Sequence, residues 1–340
     1  MKMHFAPLIG LVAGLALPAA AQPKVTLKFA TLAPEGSAWM QAFDKARQEV
    51  LEATQGEVAL KVFPAGILGE EKDVLFKVKV GQVDGGAFIG FGIGRICPDA
   101  RALMFPLIFN TYEEVDAVFA ALQPHLEQQC RANGYVALGW TEVGFSYLLS
   151  TKPVRTLADL RAAKPWLTPG EEMLSELFAA GKVNGIPVTV ADVLTALQTG
   201  LIQTIYSPPL AAVAMQWHTR VRYRNDLRLV YSFGGVFLAD RAWNNVPEAH
   251  RAVIQDIFRR RTRELTEQVR RSDAEALRVL AGQGIETLTS PPEALQEFYA
   301  VSREGMKKVE GRLFSTEAAG LVRQSLESFR AAQGAGAHAP

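Results

Sequence analysis

VTLKFATLAPEGSAWMQAFDKARQEVLEATQGEVALKVFPAGILGEEKDVLFKVKVGQVDGGAFIGF, from Val25 to Phe91, carries the fold class. Val25 to Thr31 alternates apolar and polar residues and is predicted to be a strand. Ser37 is placed as an N-cap, and Trp39, Phe43, Ala46, Val50 and Leu51 recur at helical spacing up to a stop at Gly56. Val58 to Phe63 is a second strand, Glu71 to Val80 a helix ended by Gly81, and Gly86 to Phe91 a short buried strand. A β-α-β-α-β rhythm implies a parallel sheet covered by helices.

The rhythm returns downstream. Strands are predicted at Tyr135 to Trp140, Ser146 to Ser150, Pro165 to Thr168, Pro187 to Val190 and Thr204 to Ser207, with helices at 156–161, 170–180 and 191–200. Two α/β units in tandem suggest two lobes, with a ligand at strand ends or between the lobes. Val246 to Leu280 is almost continuous helical sequence whose Arg and Glu residues form a solvated face. Glu293 to Glu310 is a further helix after the Pro291-Pro292 turn.

At the other end of the chain, Lys2 precedes an apolar run from Phe5 to Leu17 and then Ala19-Ala20-Ala21. This is the pattern of a secretory signal peptide, 1–21, cleaved after Ala21. The run is shorter than the roughly 20 residues of a membrane span, and no Cys follows it as a lipid anchor would need. The expected location is therefore the periplasm. The tail, 331–340, is expected to be disordered.

Composition excludes several functions. The net charge is +1 with basic residues scattered, so no nucleic-acid surface is expected. Hydrophobic residues make up 49% of the chain, enough for a large core. Cys97 and Cys130 either pair as a disulfide or stay as buried thiols. There is no nucleophile elbow, P-loop or zinc motif, and Gly90 to Gly94 is predicted to be loop, lacking dinucleotide spacing. No catalytic residue, metal or cofactor is expected. An enzyme on this scaffold would have only Ser146 or Ser207 as nucleophile, neither with a histidine nearby in sequence.

Phe63-Pro64-Ala65-Gly66 with Leu68-Gly69 and Glu71 resembles the signature turn of TRAP (tripartite ATP-independent periplasmic) transporter solute-binding proteins, the DctP-like family. Val83-Asp84, Phe105-Pro106-Leu107, Leu138-Gly139-Trp140, Glu142 with Gly144-Phe145, Pro153 to Thr156 with Asp159-Leu160, and Thr195 to Gly200 follow in the family's order. The resemblance covers nearly the whole mature chain. It implies a two-lobed α/β periplasmic binding protein fold, with repeated crossings between lobes and a long bracing helix. Lobe I is expected over 24–145 plus 235–274, and lobe II over 146–234 plus 275–330. The implied partners are a small-molecule ligand and TRAP membrane permease subunits, with the binding protein a monomer. The alternative is a periplasmic carrier or sensor of hydrophobic metabolites without a permease.

The departures from the family pattern bear on the ligand. The resemblance implies an arginine clamping a substrate carboxylate through its bidentate fork, and Trp166 stands in that place. Ser146 stands where a second arginine is often found. The expected ligand-binding residues are Trp166, Ser146, Phe145, Glu142, Phe88, Phe91, Tyr206 and Ser207, forming an atypical site for a neutral or apolar solute, or at most an anion with a long hydrophobic body. Arg95, Arg101 and Lys164 are the other cations that could serve an acid.

Overall fold

Leu27, Phe29 and Ala30 of the first strand are buried, and they seed one core with Phe43, Ala46 and Val50 of the helix that follows. The computed structural model describes residues 23–334, so the expected leader and the last six residues lie outside the described residues. The strands are β1 (Val25–Ala30), β2 (Val58–Phe63), β3 (Gly85–Phe88), β4 (Tyr135–Ser150), β5 (Trp166–Leu167), β6 (Ile186–Pro187), β7 (Thr204–Ser207), β8 (Tyr223–Asn225), β9 (Val230–Ala239) and β10 (Glu286–Leu288). The helices are α1 (Ala38–Ala53), α2 (Glu71–Lys79), α3 (Gly90–Ile96), α4 (Tyr112–Ala132), α5 (Leu157–Ala162), α6 (Glu172–Ala180), α7 (Val193–Thr199), α8 (Pro209–Ala214), α9 (Asp240–Asn245), α10 (Glu248–Gly282), α11 (Pro292–Val309) and α12 (Thr316–Ala332).

β1 pairs in parallel with β2 and β3, as the rhythm predicts. The sheet is mixed, however. β9 lies between β3 and β4 and is antiparallel to both. No strand is predicted at 230–239 from sequence, because Gly234-Gly235 interrupts its apolar run. Those glycines let other chains approach: a Cβ on Gly235 would sit 2.9 Å from the Gly139 carbonyl oxygen.

The two strands expected at 135–140 and 146–150 are one. β4 runs for 16 residues and pairs with β9 through Ser146 and with β7 from Tyr147 onward. It bends where register shifts occur at Ala137/Gly139 and Glu142/Gly144, and so passes from one lobe to the other.

The long helix α10 also joins the lobes. Ile254, Ile257 and Phe258 sit in the core under β1 and β2, while Leu280 sits in a separate core with Trp166, Ile205 and Trp217. Its 35 residues span about 52 Å. The stretch 275–330, expected wholly in the second lobe, divides between the two. α11 packs on α5 and α6, but Ala318, Val322 and Leu326 of α12 pack on Val118, Leu122 and Leu126 of α4 in the first lobe. α12 also continues to Ala332, into the tail expected to be disordered from residue 331.

Two further differences have local causes. Gly90–Ile96 is helical rather than loop, because the Glu71 carboxylate accepts hydrogen bonds from the N–H groups of Ile89 and Gly92, each at 2.6 Å, and so satisfies its first turn. Cys97 and Cys130 are joined as a disulfide, with Cα atoms 5.0 Å apart, tying the start of the turn after α3 to the end of α4. In the Phe63-Pro64-Ala65-Gly66 turn, Ala65 and Gly66 take φ of 52° and 67°, reversing the chain after β2.

Candidate functional site

A cavity of about 740 Å3 opens between the lobes. The first lobe contributes residues from Thr31 to Trp39 after β1, Glu70 to Lys72 at the start of α2, and Ala87, Ile89, Gly90 and Phe91 around the end of β3. The second contributes Trp166, Thr168 to Glu171, Met173 and Thr204 to Pro208. Ser146 and Ser232 come from the crossing strands, and Gln268, Val269 and Ser272 from α10.

Five of the eight expected ligand residues meet here: Trp166, Ser146, Phe91, Tyr206 and Ser207. Three are elsewhere. Phe88 is buried against Phe237, ring centroids 6.3 Å apart. Phe145 packs on Tyr112 at 4.9 Å, under the Arg228 guanidinium. Strand alternation explains both, since each points to the opposite face from its cavity-lining neighbour. Glu142 is 1% exposed and paired at 2.9 Å with Arg270 of α10, while the Tyr231 hydroxyl donates to it at 2.8 Å. Burial raises its pKa and Arg270 opposes the rise. Glu142 is thus part of a polar hub where β4 meets the long helix.

The second-lobe wall is aromatic, and its polar atoms face inward. Trp166 is stacked on Tyr206, centroids 4.8 Å apart and planes 17° from parallel, with Trp217 edge-on at 5.5 Å. The Trp166 Nε1–H donates to the Val188 carbonyl at 2.8 Å. The hydroxyls of Thr168 and Tyr206 bond each other at 2.5 Å, and the Ser207 hydroxyl donates to the Pro208 carbonyl at 2.9 Å. Ser146 and Ser232 lie oxygen to oxygen at 3.5 Å. These groups present mainly apolar faces to the cavity. Thr204 Oγ1, also in the lining, has no hydrogen-bond partner among the described residues.

The charges in the lining are Glu70, Glu71, Glu171 and Lys72; among the described residues no arginine lines the cavity. Burial pushes the Glu71 carboxyl up to about 8, against the pull of its two N–H donors. Burial also raises Glu70 and Glu171, the latter opposed by the positive charge of Arg101. The three cations named from the sequence lie outside the lining, although the buried Nε of Arg101 has no hydrogen-bond partner among the described residues. Arg95 pairs with Glu172 at 3.4 Å, Arg101 Nη1 donates to the Leu313 carbonyl at 3.2 Å, and Lys164 donates to the Gly200 carbonyl at 3.1 Å.

Sequence patterns alone did not pick out the lining from α5, α6 and α11. Glu171, Leu174 and Phe178 share one helix face by their three- and four-residue spacing, a signal that reads equally well as ordinary core.

Known proteins give this arrangement a context. A solute-binding protein of Roseobacter denitrificans is 28% identical over 239 residues, 70% of this chain and 73% of its own. The sialic acid-binding periplasmic protein SiaP of Vibrio cholerae is 22% identical over 298 residues, 85% of this chain and 92% of its own. Two crystal structures of TRAP periplasmic solute-binding proteins share the fold. One, from Roseobacter denitrificans with bound L-galactonate, has a TM-score of 0.79 at 23% identity, covering 90% of this chain and 99% of the other. The second, from Xanthobacter autotrophicus with bound β-D-galacturonate, has a TM-score of 0.81 at 17% identity, covering 88% and 99%. Over residues 29–312 the chain matches the model of bacterial extracellular solute-binding proteins, family 7 (DctP), and it belongs to that family: it is a solute-binding protein, not an enzyme.

Proposed function

We propose that this protein is the periplasmic solute-binding subunit of a TRAP-type secondary transporter, exported with removal of residues 1–21, and that it delivers a neutral or apolar small molecule to membrane permease subunits. The observation that carries the ligand class is the wall around Trp166. An indole stands where the family resemblance implies a guanidinium, and its single N–H is taken up by the Val188 carbonyl. A carboxylate brought here would meet glutamates and one lysine, and would lose several kcal/mol of hydration without a bidentate partner. An apolar solute instead gains about 25 cal/mol for each Å2 it buries. The relatives named above include binders of acidic sugars, so the proposal separates this chain from them by ligand. Mass spectrometry of solute co-purified with the mature protein, followed by calorimetry, tests it. The expected solute carries no short-chain carboxylate. Submicromolar binding of succinate, pyruvate or a sugar acid would overturn the ligand class.

A further inference from the structure

The cavity does not stop at the cleft. It continues into the second lobe between three helices, each of which turns an apolar face toward it: Leu157 and Leu160 of α5, Leu174 and Phe178 of α6, and Phe298 and Val301 of α11. Most of these residues belong to a cluster that would otherwise be an ordinary closed core. Even the hydroxyl at its edge is occupied, since Ser302 Oγ donates to the Pro106 carbonyl at 2.7 Å. A void lined this way forfeits dispersion contacts and holds no water well.

Glu171 stands at the cleft end of the same α6 face. Its Oε2 lies 3.5 Å from where a Cβ on Gly90 would sit, so the carboxyl reaches across to the first lobe. Among the described residues it has no ion-pair partner within 4 Å, while the neighbouring Glu172 takes both Arg95 and Arg312. From Glu171 to Phe178 the helix advances about 10 Å at 1.5 Å per residue.

We propose that the solute is two-ended: an apolar body about 10 Å long fills the chamber between α5, α6 and α11, and a hydrogen-bond-donating end without negative charge, a hydroxyl or an ammonium, docks at Glu171. This rests on the reading above that the solute carries no short-chain carboxylate, and it extends that reading to include a solute whose polar end is cationic. The chamber supplies affinity through area removed from water. Glu171 supplies the discrimination, since a second carboxylate beside it is repelled.

Titration calorimetry of the mature protein with 1-alkanols, 1-alkylamines and n-alkanoates, from butyl to decyl, tests the proposal. Alkanols and alkylamines are expected to gain about fourfold in affinity per methylene until the chamber is full, with alkanoates about tenfold or more weaker at each length. Val301→Phe, which narrows the chamber, should end the gain at a shorter homologue. Glu171→Gln, at a half-buried helix N-cap, should narrow the gap between alkylamines and alkanoates about tenfold. Affinity independent of chain length, or alkanoates as the tightest series, would overturn the two-ended solute. If a compact neutral solute then bound tightly, the broader ligand class would stand; if short organic acids bound instead, both would fall.

Discussion

The two lobes fill their interiors in opposite ways. The first is stapled. Cys97 and Cys130 are fully buried in its core, and Asp99 beside them accepts from the Ser315 N–H at 2.6 Å and hydroxyl at 2.8 Å and contacts His125 Nε2 at 2.6 Å. Glu114 is clasped by Arg330 at 2.8 Å and by the Asn110 N–H at 2.6 Å, which fastens α12 to α4. The second lobe has no such staple among the described residues, and its core is open to the cavity between α5, α6 and α11. A close-packed interior resists deformation, whereas one with a void waits for atoms to complete it. On the two-ended solute proposed above, the contrast is a division of labour: the first lobe is the fixed wall, and the second completes its core with the solute.

The largest effect that would break this contrast is loss of the staple. The disulfide closes a loop with a sequence separation of 33. Chain-entropy reasoning gives about 4 kcal/mol for a loop of that size. The double variant Cys97→Ser, Cys130→Ser should therefore lose about 3–4 kcal/mol in chemical denaturation. A loss under about 1 kcal/mol would mean that the first lobe is held by packing alone.

A smaller effect sharpens the account of the second-lobe wall. Trp166→Phe keeps an aromatic face on Tyr206 but loses the Nε1–H that the Val188 carbonyl accepts, together with part of the ring surface. A buried acceptor left without its donor costs about 1–3 kcal/mol. Trp166→Ala removes the face as well and should cost about 3–5 kcal/mol. Equal losses for the two variants in urea denaturation would show that the hydrogen bond, not the stack, holds the wall.

These contrasts were unequally legible in the sequence. The β1 to β3 half of the first lobe was readable because its strands alternate and its helices carry local signals, such as Ser37 accepting from the Met40 N–H at 3.4 Å. Trp166 and Ser146 stand out as departures from an ordered motif set, and both line the cavity beside Tyr206 and Ser207. Glu142 was misplaced for a physical reason. Its partner Arg270 lies on a helix 128 residues away in sequence, and no local pattern announces that pairing. The hollow between α5, α6 and α11 was invisible for a related reason. Leu157, Phe178 and Phe298 have the same periodicity whether the space between them is filled or empty. The strand β9 escaped because Gly234-Gly235 breaks its apolar run, although it pairs with both β3 and β4.

The last expected effect concerns the joint between the lobes, where Asp273 of α10 touches both. Its Oδ1 accepts from the Leu210 N–H of α8 at 3.0 Å, and its Oδ2 accepts from the Tyr112 hydroxyl of α4 at 3.2 Å. Gly144, at φ 105°, gives the carboxyl its room, since a Cβ there would lie 2.2 Å from Oδ2. Burial pushes the Asp273 carboxyl up to about 7, and nearby Glu142 adds to the rise, while the two donors pull the other way. The folded pKa thus lies above the unfolded one. Between about pH 4 and pH 7 the folded state holds a proton that the unfolded chain has lost, so stability falls as pH rises through that window and levels off above it. Glu71, raised to about 8, adds a slope of the same sign. Asp99 and Glu114, whose pKa values are lowered, give the opposite slope only in more acid solution. The protein should therefore melt at a higher Tm at about pH 5 than at about pH 8, and Asp273→Asn, which cannot titrate, should shrink that difference. An unchanged difference in Asp273→Asn, measured by calorimetry at both pH values, would move the titration to Glu71 and leave the joint insensitive to protons.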